Sequence, residues 1–302
     1  MNRVVIILAF LLSGWMAAPV TQAQTERERG LGPFTLVTTR GEITVRLLRR
    51  DGDIVWVDRL TSDKVYVETG VPVAEIIRFV APRPRLFELA EQPIDAYTPE
   101  QIKALHDGLR KMAAQYRPYR DLPGIPTDEA IRIQAGLYEQ QALWRDAYLL
   151  YADLLKLDYE VEDVNRIRLL TGMCLWRMDR KDDALGYLLT TPIPDDDLAF
   201  FSRVMKARAD ALASTGQTLK ALEDRLYLVV FYPFVSSNEV ENLAAAIPLY
   251  AEMKEWGAAV KTLEALETDY PDSPATASAR ERLASYSDQV ENERQFQVEE
   301  ME

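Results

Sequence analysis

The chain has 302 residues, with 35 basic side chains against 48 acidic ones and a formal net charge of -13. That balance disfavours nucleic acid as a partner, because holding many phosphates relies on Lys and Arg displacing counterions. An apolar content of 48% over this length supports one large or two ordinary cores and excludes a disordered chain.

The chain opens with the pattern of an export leader. Arg3 supplies the positive start, Val4 to Leu12 the apolar run, and Thr21-Gln22-Ala23 the small residues that precede cleavage, so residues 1–23 are expected to be removed. The apolar run falls well short of the ~20 residues a membrane-spanning helix needs, and no later segment reaches that length. An exported protein, periplasmic or secreted, is therefore expected. Cys174 has no partner for an internal disulfide in such a compartment and lies far from the cleavage site, which excludes lipid attachment there.

From Phe34 to Val80 the sequence carries strand chemistry. Ile43, Val45 and Leu47 alternate with Thr44, Arg46 and Leu48, Asp51-Gly52-Asp53 makes a turn, and Ile54 to Val57 returns. A second turn at Thr61-Ser62-Asp63, then Val65 to Val67 and Val73 to Val80, complete about five short strands, a small all-β domain over 33–81. Thr39-Arg40-Gly41-Glu42, Asp51-Gly52-Asp53 and the closing Ala74-Glu75-Ile76 resemble the turns of SH3-like and Sm-like barrels of bacterial envelope proteins. The likeness implies a closed barrel. Sm-like barrels can bind RNA, a use that export and acidity argue against here. Trp56 and Tyr66 read either as an aromatic contact patch or as half-buried packing.

Ala81-Pro82-Arg83-Pro84 ends the strands, and 82–126 reads as a linker with one helix. Thr98-Pro99-Glu100-Gln101 is a capping box with proline at the first helical position, opening a helix to about Tyr116. From Thr127 onward every segment has helical period. Ala147, Ala184, Ala221 and Ala259 recur at spacings of 37, 37 and 38, in the range that means stacked repeats. Twelve residues before them stand Ala135, Gly172, Ala209 and Ile247, and nine before stand Tyr138, Leu175, Leu212 and Tyr250. Antiparallel helices that pack closely need a small side chain at the crossing and a large one in the adjoining groove.

These positions resemble tetratricopeptide repeats (TPR), clearest in Ile131, Ala135, Tyr138, Ala147 and Tyr151 of the first unit and Leu243, Tyr250, Ala259, Leu263 and Asp269-Tyr270-Pro271 of the fourth. The resemblance implies a mostly α protein: a TPR-like α-solenoid of four helix pairs over 127–272 (127–160, 164–194, 201–233, 239–272), preceded by the small β domain. Arg168 and Arg225 stand where large apolar residues are usual, which leaves the register of the middle units open. The longer period and Tyr270-Pro271-Asp272-Ser273-Pro274 are similar to repeats in envelope-assembly and cell-division coordinator proteins, often lipoproteins, although this chain lacks the acylated cysteine. Ser273 and Pro274 open a capping helix over 273–286, and 287–302 is an acidic tail.

The chemistry available is narrow. One His and one Cys make no zinc site, and His106, without a nucleophile elbow, reads as a helix-surface residue. Asp195-Asp196-Asp197 precedes a helix, where acids favour the positive end. No catalytic residue, metal or cofactor is assigned. Stacked helix pairs instead expose a concave face. The family's groove positions, carried over, fall on Glu129, Arg132, Gly136 and Glu139, on Arg166, Leu169, Met173 and Trp176, and on Arg203, Lys206, Asp210 and Ala213. Arg132, Arg166, Met173, Trp176, Arg203 and Lys206 form the expected partner-binding strip, suited to an acidic segment of an envelope protein. The same charges read equally as a solvated face paired within the array. The family's carboxylate clamp is not reproduced, since Gly136 and Ile133 replace its polar groups. Two functions stand: a non-enzymatic exported scaffold, or a peptidoglycan-associated module in which the barrel binds and the array is a spacer. Pro248, inside a helical segment, is expected to bend it and shape the groove's end.

Overall fold

The computed structural model describes residues 30–61, 65–157, 159, 161, 163–235, 237–289 and 291. The leader, the tip of the turn at Ser62-Asp63 and the tail beyond 291 lie outside the described residues. The described chain divides into two units, one made of residues up to Arg85 with Lys111–Asp128, the other of Leu86–Arg110 with Glu129 onward.

In the first unit, alternation of apolar and polar residues gives five antiparallel strands: β1 (Leu31–Thr38), β2 (Gly41–Asp51), β3 (Ile54–Leu60), β4 (Tyr66–Pro72) and β5 (Ile76–Val80), in the order β4-β3-β2-β1-β5. The ladder is open between β4 and β5, so hydrogen bonds among the described strands do not close the expected barrel. One face buries Phe34, Leu36, Val45, Leu47, Val55, Val57 and Phe79. The segment after residue 116, read from sequence as part of a linker, instead returns to this sheet: Tyr119, Leu122 and Ile125 join its core, and the Phe79 N–H donates to the Pro123 carbonyl at 2.7 Å. Pairing part of an edge strand in this way removes an open template for association. Gly124 is obligatory there, since its φ is +83° and a Cβ would lie 1.8 Å from the Phe79 carbonyl oxygen.

The second unit begins with α1 (Arg85–Ala90), a helix that sequence reading missed, and with α2 (Pro99–Tyr116), whose residues up to Arg110 belong to it and whose remainder belongs to the first unit. Its capping box is made: the Gln101 N–H donates to Thr98 Oγ1 at 3.3 Å and the Thr98 N–H to Gln101 Oε1 at 2.8 Å. Four antiparallel helix pairs follow: α3 (Thr127–Gln140) with α4 (Trp144–Leu154), α5 (Val164–Arg177) with α6 (Lys181–Thr190), α7 (Leu198–Ser214) with α8 (Thr218–Phe231), and α9 (Asn238–Glu252) with α10 (Trp256–Asp269). Pro274–Ala284 forms α11, with Ser273 Oγ accepting from the Ala275 N–H at 3.2 Å. The fold is thus mostly α, a TPR-like α-solenoid preceded by a small all-β unit.

The repeat is a backbone device as well as a side-chain one. Within each pair, three residues join the helices, and the middle one is left-handed: Ala142 (φ 56°), Asp179 (62°), Gly216 (76°) and Lys254 (63°), at spacings of 37, 37 and 38. The next N–H in each turn, of Leu143, Arg180, Gln217 or Glu255, donates at 2.9 Å to the carbonyl of Tyr138, Leu175, Leu212 or Tyr250. This local closure of a helix end satisfies carbonyls that the helix itself leaves free. Ala147, Ala184, Ala221 and Ala259 are fully buried, and a Cβ on Gly172 would meet the Tyr187 Cβ at 2.9 Å. Two apolar clusters, one through the first three pairs and on to Ala246 and Leu249 of α9, the other through α9, α10 and α11, share Tyr250. Cys174 sits fully buried in the first of them.

The polar departures of the middle units leave this register intact. Arg168 is exposed on α5 beside the buried Ile167. Arg225 is buried, pairing with Asp210 and donating to Asn242 Oδ1 at 2.8 Å, while Asn242 donates to the Asn238 carbonyl at 2.6 Å and Ser202 Oγ to Asn238 Oδ1 at 2.5 Å. A polar layer therefore replaces the apolar contact expected between the third and fourth pairs. Helix α9 runs unbroken through Pro248. His106, read from sequence as a surface residue, is buried: its ring stacks on Tyr138 at 4.2 Å and its Nε2 meets Gln141 Nε2 at 2.8 Å.

Candidate functional site

The first helix of each pair turns one face inward, and these faces together line a cavity of about 840 Å³. Helical spacing explains the lining: Arg166, Leu170, Met173 and Arg177 recur along α5, and Arg203, Lys206, Ala207 and Asp210 along α7. Helix α9 contributes Glu241 and Ala244, and α11 closes the far end with Ala275, Ser278 and Arg282. All six residues of the sequence-derived strip, Arg132, Arg166, Met173, Trp176, Arg203 and Lys206, lie on this one surface, as do Gly136, Glu139 and Asp210. Leu169 is instead fully buried in the core, and neither Glu129 nor Ala213 lines the cavity.

The strip is internally organised. Arg166 Nη2 donates to Asp197 Oδ2 at 2.8 Å and its guanidinium lies 4.1 Å from the centre of the Phe200 ring. Arg203 approaches the same ring at 5.5 Å and its Nη1 stands 3.5 Å from Glu139 Oε2. Lys206 Nζ bonds Glu241 Oε2 at 2.6 Å, and Arg132 reaches Glu129 at 4.0 Å. Phe200 thus serves as a shared platform that holds two guanidinium groups in place. Asp197, the last of the Asp195-Asp196-Asp197 run, caps α7 by accepting from the Phe200 N–H at 3.0 Å; that bond, aided by Arg166, holds its carboxyl below the usual range.

These internal pairs leave a local charge excess. The described lining includes seven cations and four carboxylates, inside a chain whose net charge is -13. Arg203 retains 51% of its side-chain exposure and is the most open of the strip's paired cations, against 31% for Arg132 and 22% for Lys206. Sequence reasoning missed Trp144, Tyr151, Arg225 and Arg282, because they come from second helices and from the capping helix rather than from the repeated inner faces. Arg177 lies over the Trp144 ring at 5.4 Å, which places a further cation and aromatic pair at one end.

Glu139 is a buried carboxylate among the four of this lining. Its side chain is 9% exposed, its Oε1 is buried with no hydrogen-bond partner, and burial raises its pKa against the opposing pull of Arg203 and the Tyr151 hydroxyl. Tyr151 is itself pushed well up, by burial and then by Glu139. Among the described residues no group of three or more His, Cys, Asp or Glu side chains is placed to hold a metal. No described helix is long and apolar enough to cross a membrane.

Two solved structures are similar in part. YrrB, described as a TPR protein with an unusual peptide-binding site, has 14% identity and a TM-score of 0.49, with 65% of this chain and 90% of that one covered. BtubC (BKLC) from P. vanneervenii has 15% identity and a TM-score of 0.42, with 67% and 92% covered. No protein-family model and no curated protein matches the chain.

Proposed function

We propose that the helical array is a non-enzymatic scaffold that receives an acidic segment of a protein partner along the strip Arg132, Arg166, Met173, Trp176, Arg203 and Lys206. The observation that carries this reading is the gathering of these side chains on one concave surface with an excess of cations. Guanidinium groups present paired donors matched to carboxylates, and Phe200 fixes two of them in advance, so less conformational freedom is lost on binding. Met173 and Trp176 add apolar area beside the charges, the combination that concentrates binding energy at an interface.

Export, and with it an envelope partner, is proposed on the leader pattern of residues 1–23. The small β unit would hold a second partner. Its edge strand β4 leaves Tyr66 and Val67 exposed, with Tyr66 beneath the Arg46 guanidinium at 5.3 Å. The SH3-like or Sm-like character expected of this unit belongs to the same proposal.

The test is titration of the full chain with an acidic peptide, followed by tryptophan fluorescence. Reversing Arg166→Glu and Arg203→Glu together should abolish binding while circular dichroism stays helical, and raised salt should weaken the native interaction. Equal affinity for the native and doubly reversed proteins would remove the reading.

A further inference from the structure

The two outer strands of the sheet differ in what covers them. Strand β5 gives its Phe79 N–H to the Pro123 carbonyl, whereas β4 pairs with β3 alone among the described strands. Which groups of β4 face outward follows from the ladder. The Thr61 N–H donates to the Val65 carbonyl at 2.9 Å and the Val73 N–H to the Asp53 carbonyl at 2.8 Å, and between them the register runs without a bulge from Leu60 opposite Tyr66 to Ile54 opposite Pro72. Antiparallel alternation then turns Val67, Thr69 and Val71 toward β3 and leaves the N–H and C=O groups of Tyr66, Glu68 and Gly70 on the open edge. All three residues are exposed, and at Gly70, which has no side chain, that exposure belongs to the backbone itself. Pro72, next in the row, has no N–H and ends it.

We infer that this edge takes up an extended segment of a partner protein as a sixth, antiparallel strand, with a basic residue opposite Glu68 and a large apolar residue opposite Gly70. This rests on the β unit holding a second partner, as proposed above. In strand addition the backbone bonds supply affinity and alternate side chains supply specificity. Glu68 Oε1 accepts from Arg49 Nη1 at 2.6 Å, but the side chain keeps 46% of its exposure and its Oε2 bonds no described residue, so a cation across the strands has an acceptor. At Gly70 the missing side chain uncovers the outer face. A Cβ there would stand 3.1 Å from Ile54 Cγ2 and 3.5 Å from Trp56 Cζ3, and Ile54 is exposed. A large side chain on the added strand covers this gap, in the way that aromatic residues rescue edge glycines. A second copy fits worse. Two-fold pairing centred on Glu68 sets like charges directly opposite each other, and a register moved toward Pro72 meets a residue without a donor.

The experiment uses the full chain and a fluorescent peptide, blocked at both ends, that contains Phe-Thr-Lys-Thr. Methylating the lysine backbone nitrogen removes the donor that faces Glu68, while methylating that of the following threonine alters a group that faces away. Native protein should bind the unmethylated and threonine-methylated peptides alike and the lysine-methylated one about 10-fold more weakly, about 1.4 kcal/mol. Bound peptide should slow amide exchange at Glu68 and Gly70 and change little at Val67 and Thr69, which already bond β3. Glu68→Lys should move the preference from this peptide to one with glutamate in place of its lysine. Equal affinity for the two methylated peptides with protection confined to the β unit, or a lysine preference that survives Glu68→Lys, overturns the inference and leaves the second-partner reading standing. Binding of no peptide, or binding outside the β unit, overturns both. Sedimentation of the native chain as a dimer, with Glu68 and Gly70 protected before peptide is added, assigns the edge to a second copy and overturns the inference. Should Glu68→Lys disturb the fold, the methylated pair on native protein decides the matter alone.

Discussion

Arg225 and Asn242 meet at 2.8 Å across the junction of the third and fourth helix pairs, both buried, where the repeat pattern calls for apolar contact. The bond exists because Arg225 also pairs with Asp210 and because Asn242 turns its amide to the Asn238 carbonyl. Arg225→Met is expected to destabilise the chain by about 1–3 kcal/mol by leaving the Asn242 oxygen without a donor. Adding Asn242→Leu should recover much of the loss, since replacing both partners avoids the orphaned group. Denaturant melts of the single and double variants measure this, and additive losses would exclude the coupling.

The left-handed turns make a second prediction. Ala142 and Lys254 hold a conformation that costs an L-residue roughly 1–2 kcal/mol, while Gly216 holds the equivalent one freely. Ala142→Gly and Lys254→Gly should each stabilise by about 0.5 kcal/mol, after the extra chain entropy of glycine is subtracted, and Gly216→Ala should destabilise by about 1 kcal/mol. Thermal melts with opposite signs would show that these turns do not govern the pairs.

Two glycines on inner helices should respond oppositely to alanine. Gly172 faces Tyr187 and Leu188 across its pair, so Gly172→Ala forces the helices apart and costs about 1–3 kcal/mol. Gly136 has open space around it, and Gly136→Ala should gain close to 1 kcal/mol through helix propensity. Comparable changes at both sites would contradict the packing described.

For Glu139, burial raises the folded pKa above its ordinary value of 4.5. The folded state then holds its proton more tightly than the unfolded chain, so ionised Glu139 weakens the fold above the raised pKa, and the penalty is absent below 4.5. Glu139→Gln should therefore raise Tm at pH 7 and leave it unchanged at pH 4. A lower Tm at pH 7 would mean that the Arg203 pair outweighs burial.

His106 moves the other way. Burial, aided by Arg110, lowers its pKa below 6.5, so the unfolded chain takes up the proton first. Stability tied to this ring is fully present above pH 6.5 and declines as the pH falls through that value toward the lower folded pKa. His106→Phe, which keeps a ring against Tyr138, should flatten the dependence between pH 7 and pH 5. An unchanged profile would assign it to other groups.

The repeat and its inner face were legible in the chain because helical packing is periodic. The alanines at 147, 184, 221 and 259 mark crossings that tolerate only small side chains, and a fixed period carries each groove residue to the same side of its helix. The groove positions implied by the family resemblance, set on that period, put Arg132, Arg166, Met173, Trp176, Arg203 and Lys206 on one face, and all six line one surface in the structure. What a periodic pattern does not contain is contact between positions outside the period. The return of Tyr119, Leu122 and Ile125 to the sheet depends on packing against residues far away in the chain. The burial of His106, the polar layer at Arg225 and the unpartnered oxygen of Glu139 were decided in the same way, by which side chains the tertiary structure brought near and which it left out. Period specifies the direction of a side chain, while the identity of its neighbour, and so its charge state and its chemistry, is set only when the helices stack.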